Sequence, residues 1–502
     1  MPHLRVTFLN LPDPPGMRVH RLYAGGFGTV EHIEPGAVTS STLMPPIFEA
    51  TAAAVLEGMG HRACIVDAQS RELDMRSTVE SIARTRPDVI VSKVSMPAFQ
   101  EDSEVISAVS AGVPDAKIAV WGPVARVFPE RIRGIGGISA AVLGELEFCL
   151  PFLIAALYDD EQRPVAGSAV FTKKGILSTP PPAPGSLDDL PLPAHHLLDM
   201  SRIRTAGNKF CPGGGVDEKP FYVVLTSRGC NYGCIYCPYS VIFDRGWRAM
   251  SPGRIVAELE ELVENHGVHN IWFLDEVLTQ DYARMEKICS MVIERDLDLN
   301  WRCESRVDRL PRDLLELMKR AGCGCIQVGV ETGDPRLMSV GKPGSSVPLV
   351  ERVFGDLKEV GIMARASAMV GLPGETWESV RMTEELLNRI DPVSVEVGIS
   401  TPYPGTPFHD MAVERGWLVD EDFSHYTISR PVTSFQGFTS ADIARARRYL
   451  LDRFLFRKRV RESVASARDF NLSSFPREFL PGNLRASFWR LENFVRVRAR
   501  FH

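Results

Sequence analysis

The sequence predicts an α/β protein in which two parallel sheets follow one another and a mainly helical region comes last. Three observations carry that expectation. Five short apolar runs alternate with helical patterns over residues 4–157, a proline-rich stretch interrupts both patterns, and six further strand–helix units follow from residue 221. Alternation of this kind buries a parallel sheet between layers of helices.

The expected strands of the first unit are 4–11, 63–68, 88–95, 117–123 and 140–145. Between them, "PPIFEATAAAVLEGMGH" (45–61) has proline at its start and glycine at its end, as a helix prefers. The segments 77–86 and 101–112 are helical by the same pattern, and 148–158 is a short buried helix. A doubly wound, Rossmann-like domain over 1–157 follows. Ligands of such sheets sit at the carboxyl ends of the strands. There the sequence has Asp67, Ser92, Ser95, Gly122, Pro123, Gly144 and Glu145, which are also ordinary turn residues.

Residues 158–220 form an expected linker, because "STPPPAPGSLDDLPLPAHHLLDM" (178–200) cannot make a regular helix or central strand. The adjacent His195 and His196 in it are expected to be structural. From 221 to 410 the strands are 221–227, 270–276, 300–306, 325–332, 364–371 and 392–400, with helices at 252–266, 281–296, 312–322, 348–360 and 376–390. Six units fall short of a closed eight-stranded barrel, so a partial, TIM-like (β/α)6 barrel is expected. Residues 411–502 look mainly helical.

Composition excludes several classes. The 502 residues carry a formal charge of −6, without the basic excess of a nucleic-acid binder. No apolar run reaches the length of a membrane span, and the first residues lack a secretory pattern. A cytosolic location is expected, where clustered cysteines serve as metal ligands or redox groups rather than disulfides.

Three of the ten cysteines fall within "SRGCNYGCIYCPYS" (227–240) as Cys230, Cys234 and Cys237, spaced C-x3-C-x2-C on the loop after the first barrel strand. Three thiolates suit an iron–sulfur cluster with one open iron. Zinc would want a fourth protein ligand, and Cys323 and Cys325 form only C-x-C.

In this motif and the strand series around it, the chain resembles the radical S-adenosylmethionine (SAM) enzymes. The resemblance implies a 4Fe–4S cluster on the three cysteines and SAM chelating the fourth iron. Reduction then cleaves SAM to a 5′-deoxyadenosyl radical. It also implies a SAM site near Tyr236, Asp275 and Glu276 of "FLDE", Arg306 of "CESRVD", Glu331 of "GVETGD" and Gly371 of "MVGLPGET". The family's more familiar Gly-Gly-Glu is replaced here by "FLDE". The N-terminal domain, with "VWGPVARVFPE" (120–130) and "GELE" (144–147), is similar to that of the cobalamin-binding subfamily. Cobalamin contacts are then expected from Ser92, Ser95, Gly122, Pro123, Gly144 and Glu145, with the glycine-rich loop 24–30 able to approach a flat macrocycle or to act as a lid. The Asp-x-His-x-x-Gly motif that would place a histidine below cobalt is missing, and His20 and His32 have the wrong spacing, so cobalamin is expected without a histidine ligand.

The function implied is methylation of an unactivated carbon in a small molecule of natural-product or tetrapyrrole type. The partners implied are that substrate and an electron donor such as flavodoxin or ferredoxin, with no nucleic acid and no membrane. Ring closure, ring contraction or oxidation without methyl transfer is the alternative, and a non-catalytic sensor a third. Tyr426, Phe435 and Trp489 are available to a substrate pocket or to the core.

Overall fold

The computed structural model describes residues 3–22, 27, 30–32, 42–158, 164–203, 221–243 and 246–465. The chain enters the first sheet with β1 (Arg5–Asn10) and leaves it for a small antiparallel pair, β2 (Met17–Val19) and β3 (Val30–His32). It returns through β4 (Arg62–Asp67), β5 (Val89–Lys93), β6 (Lys117–Trp121) and β7 (Ile138–Val142). All five main strands are parallel, in the order β4-β1-β5-β6-β7. Every residue of β5 is buried, as a strand covered on both faces requires. Strand order reverses between β1 and β5, which opens a crevice at their carboxyl ends.

The segment expected to be linker from residue 158 is different at its start. "SAVFT" and "GILST" form β8 (Ser168–Thr172) and β9 (Gly175–Thr179), an antiparallel hairpin that extends the sheet beyond β7. The alternating apolar pattern around a Lys-Lys-Gly turn is a hairpin pattern, and the run of prolines starts only after β9, at an edge where no further strand must pair. From Pro180 to Ile203 the chain makes only short 3-10 turns, as expected of proline-rich sequence.

The second sheet is built from β10 (Phe221–Val224), β13 (Asn270–Phe273), β14 (Asn300–Ser305), β15 (Cys323–Glu331), β16 (Met363–Val370) and β17 (Ser394–Ile399); between β10 and β13 lie the short β11 (Ser227–Arg228) and β12 (Arg248–Ala249), paired antiparallel. The six strands are parallel and adjacent in chain order, and β10 and β17 remain the two edges of an open curved sheet. Local signals fix the helix ends. Ser251 caps Pro252–His266 and Gly267 ends it in the left-handed region, while Thr376 and Ser379 form a capping box on Trp377–Ile390.

Helix Ser440–Ala465 runs along β17, where Arg447 Nε donates to Val397 O. Between Arg415 and Thr439 the chain is turns, bridges and one 3-10 turn, so the helical expectation for 411–502 is corrected there; the part beyond Ala465, including Trp489, lies outside the described residues. Tyr426 and Phe435 are core residues: Phe423 packs between Tyr426 and the N-terminal domain's Phe128, and Phe435 stacks edge-on to Trp417. Among the described residues no helix is long and apolar enough to cross a membrane.

Candidate functional site

Cys230, Cys234 and Cys237 lie on the loop between β11 and β12, at the carboxyl end of β10. Gly229 turns into this loop with φ 81°, and the Cys237 amide donates to Cys234 O. All three thiols are partly buried, and that burial pushes each above its ordinary value. They hold their protons until a metal displaces them. Tyr236, between the last two cysteines in sequence, is half-buried beside Gly341. Among the described residues, His195, Glu261 and His266 converge within 4.8 Å as a single small ion requires; the three cysteines are not such a group.

The two acidic residues after β13 part company. Asp275 is fully buried and turned inward: Oδ1 accepts from Thr226 Oγ1 (2.7 Å) and Ser227 Oγ, and Oδ2 from the Thr226 amide. It fastens the strand end that leads into the cysteine loop, and both its oxygens are used. These bonds give Asp275 a positioning role at the strand end. Glu276 is the opposite case. Both its oxygens are buried with no hydrogen-bond partner, and burial holds its pKa well above the carboxylate range. When ionised it would raise the Cys230 and Cys237 thiols further. An unpaired buried carboxylate is costly unless a ligand completes it.

Arg306 is not turned to a vacant space for a carboxylate. Nε donates to Asp308 Oδ1 (2.9 Å), Nη2 to Pro343 O (2.6 Å) and Nη1 to Cys234 Sγ (3.6 Å). Glu331 is a non-glycine residue at φ 62°, where the β15–β16 register slips. Such backbone costs on the order of 1–3 kcal/mol and gathers at functional sites. Lys342 Nζ reaches Glu331 Oε1 and Gly329 O, both at 2.8 Å. Gly371 (φ 85°) donates its amide to Glu375, whose second oxygen is buried without a partner. A Cβ on Gly371 would meet Ile443 of the last helix, so this face of the turn is packed against protein.

On the N-terminal side four of the six expected residues come together. Gly122, Pro123, Gly144 and Glu145 line one cavity with Phe48 and Trp121, and the far wall is Arg228, Ile242 and Phe243 from the second domain. Trp121 Nε1 is buried there without an acceptor, a donor suited to an amide-bearing ligand. Ser92 and Ser95 do not reach this cavity. Ser92 Oγ donates to Leu9 O between strands, and Ser95 binds both partners of the buried Arg21–Asp102 pair. Glu145 lines the cavity but also pairs with Arg228 and Arg248. Behind it, Asn10, His20, Glu49 and Lys93 line a second cavity at the β1/β5 reversal. The Lys93 ammonium lies 4.6 Å from the Trp121 ring, and burial lowers its pKa to about 8. Of loop 24–30, only Phe27 and Val30 are described; Phe27 packs against Tyr403.

Sequence reasoning missed Arg228, Lys93 and Lys342. Arg228 had a signal, since it sits two positions before the first cysteine. The lysines had none, because their partners are distant along the chain.

Residues 224–387 match the family model described as the radical SAM superfamily. The chain is 28% identical over 408 residues to an uncharacterized methyltransferase of Pyrococcus horikoshii, spanning 80% of this chain and 85% of that protein. It is 26% identical to the anaerobic magnesium-protoporphyrin IX monomethyl ester cyclase of Rubrivivax gelatinosus, over 77% and 69% of the two chains. In fold it is similar to the cobalamin-dependent SAM radical enzyme OxsB, solved with aqua-cobalamin and SAM bound. That match has a TM-score of 0.71 and 15% identity, and covers 99% of this chain and 71% of the other.

Proposed function

We propose that this chain is a radical SAM enzyme of the cobalamin-binding kind and that it methylates an unactivated carbon of a small-molecule biosynthetic intermediate. The observation that carries the reading is the pairing of the three cysteines with the orphaned Glu276 carboxylate, beside a cavity walled by both domains. When bound, the cluster with SAM supplies a hydrogen-abstracting adenosyl radical, and cobalamin supplies the methyl group.

The chain's own residues supply position and shelter. Cys230, Cys234 and Cys237 hold three irons. Glu276, with both oxygens free of protein partners, would accept from the amino group of SAM. Glu331 and Lys342, locked to each other, wall the same side, and Gly371 lets the chain turn tightly beneath it. Trp121, Gly122, Pro123 and Gly144 line the cobalamin side. A shared cavity is required because reacting atoms must approach within about 3–3.5 Å of each other. Burial of the wall residues keeps competing C–H and S–H hydrogen donors away from a radical. A cytosolic flavodoxin- or ferredoxin-type donor supplies the electron.

The cyclase relative gives a second reading, ring closure without methyl transfer. Anaerobic reconstitution with methyl-labelled SAM and candidate tetrapyrrole or natural-product substrates separates them by product mass. Iron should approach about four per chain, the content of one 4Fe–4S cluster, and 5′-deoxyadenosine should form. Alanine at Cys230, Cys234 and Cys237 together should abolish both. Iron retained in that variant would sink the assignment of the cluster.

A further inference from the structure

Arg306 is held more firmly than a ligand-seeking arginine needs to be. Its side chain is 5% exposed. Asp308 and the Pro343 carbonyl take two of its nitrogens, and the face of Tyr232 lies 3.5 Å from its guanidinium carbon. Tyr232 is itself fixed, donating to Asp308 Oδ2 and accepting from Arg309 Nε, each at 2.6 Å. The planar fork therefore has one orientation, and in it Nη1 points at Cys234 Sγ, 3.6 Å away. Swinging toward a carboxylate elsewhere would break two hydrogen bonds and the stack.

We propose that Arg306 is a positioning residue for the electron: by donating to Cys234 Sγ it raises the reduction potential of the cluster. This rests on the reading that the three cysteines hold a 4Fe–4S cluster. Reduction adds one electron, and part of the added charge falls on the ligand sulfurs. A charged N–H donor directed at one of them stabilises the reduced form more than the oxidised form. Asp308 cancels much of the long-range charge of Arg306 but not the short-range N–H···S contact, so the effect depends on the directed donor.

The test uses the full chain, reconstituted anaerobically, with no SAM present. The midpoint potential is measured by paramagnetic resonance at fixed potentials for wild type, Arg306→Gln and Arg306→Lys. Arg306→Gln should lower the reduction equilibrium about tenfold, which for a one-electron couple is about 59 mV. Arg306→Lys should also fall below wild type, because one ammonium cannot span Asp308, Pro343 O and Cys234 together. If Arg306→Gln does not fold, the lysine variant decides alone. An unchanged midpoint would overturn the proposal, and weakened binding in a separate SAM titration of the same variant would then make Arg306 a SAM ligand. A wild-type chain that assembles no cluster would refute the parent reading instead.

Discussion

Arg228 and Glu147 come from different domains and meet in a buried ion pair, Nη2 to Oε1 at 2.6 Å. Arg228 stands two residues before Cys230, and Glu147 lies in the helix that follows β7. Glu145 takes the other guanidinium nitrogen at 2.5 Å and also binds Arg248. The pair fastens the cysteine loop to the wall of the cavity that both domains share.

Removing one member of such a pair strands a buried charge, which costs about 3–5 kcal/mol. Arg228→Met should therefore destabilise by roughly that amount. Arg228→Met with Glu147→Leu should recover part of the loss, because both charges leave together. Denaturant midpoints of the two single variants and the double variant check this; strictly additive losses would refute the coupling. In the single variant, 5′-deoxyadenosine formed per product should rise as the two sides lose register.

Asp275 and Glu276 should separate by readout. Glu276→Gln should leave the cluster and fold intact and weaken SAM binding by roughly tenfold to a hundredfold, the worth of a hydrogen bond to a charged group. Asp275→Ala should cost about 1–3 kcal/mol of stability, since it strands the Thr226 and Ser227 donors. Equilibrium SAM binding and thermal unfolding measured on both variants would expose the reverse pattern.

Cobalamin should bind with no histidine below cobalt. The segment after β4, "DAQSREL", has no histidine; buried His20, which follows β2, lines the same cavity as Gln69 of that segment but lacks the motif's spacing. Paramagnetic resonance of the cob(II)alamin form should lack nitrogen splitting. Splitting that disappears in His20→Ala would make His20 the ligand.

Glu375 should give the fold a pH dependence. Burial raises its pKa from 4.5 to about 8. The folded state thus holds a proton that the unfolded state releases above 4.5. Its contribution is fully present below 4.5 and declines as pH rises toward about 8. Glu375→Gln should flatten the fall in unfolding temperature across that window; an identical slope in both proteins would mean that another group is responsible.

The sequence alone determined the elements that depend on local signals. Apolar strand runs, the helix ranges 252–266 and 376–390, and the C-x3-C-x2-C spacing rest on signals within a few residues, so they were legible without a fold. The hairpin β8–β9 was equally local but hidden beside the prolines that follow it. What each polar side chain does was decided only by tertiary structure. Asp275 and Glu276 are neighbours of similar chemistry, yet one is saturated by Thr226 and Ser227 and the other has no partner. Ser95 and Gly122 both follow strands, yet only Gly122 reaches the cavity, because an ion pair from residues 21 and 102 claims Ser95. Hydrogen bonds and ion pairs are satisfied across space, over sequence separations such as the 81 residues from Glu147 to Arg228, and no local pattern encodes which partner arrives.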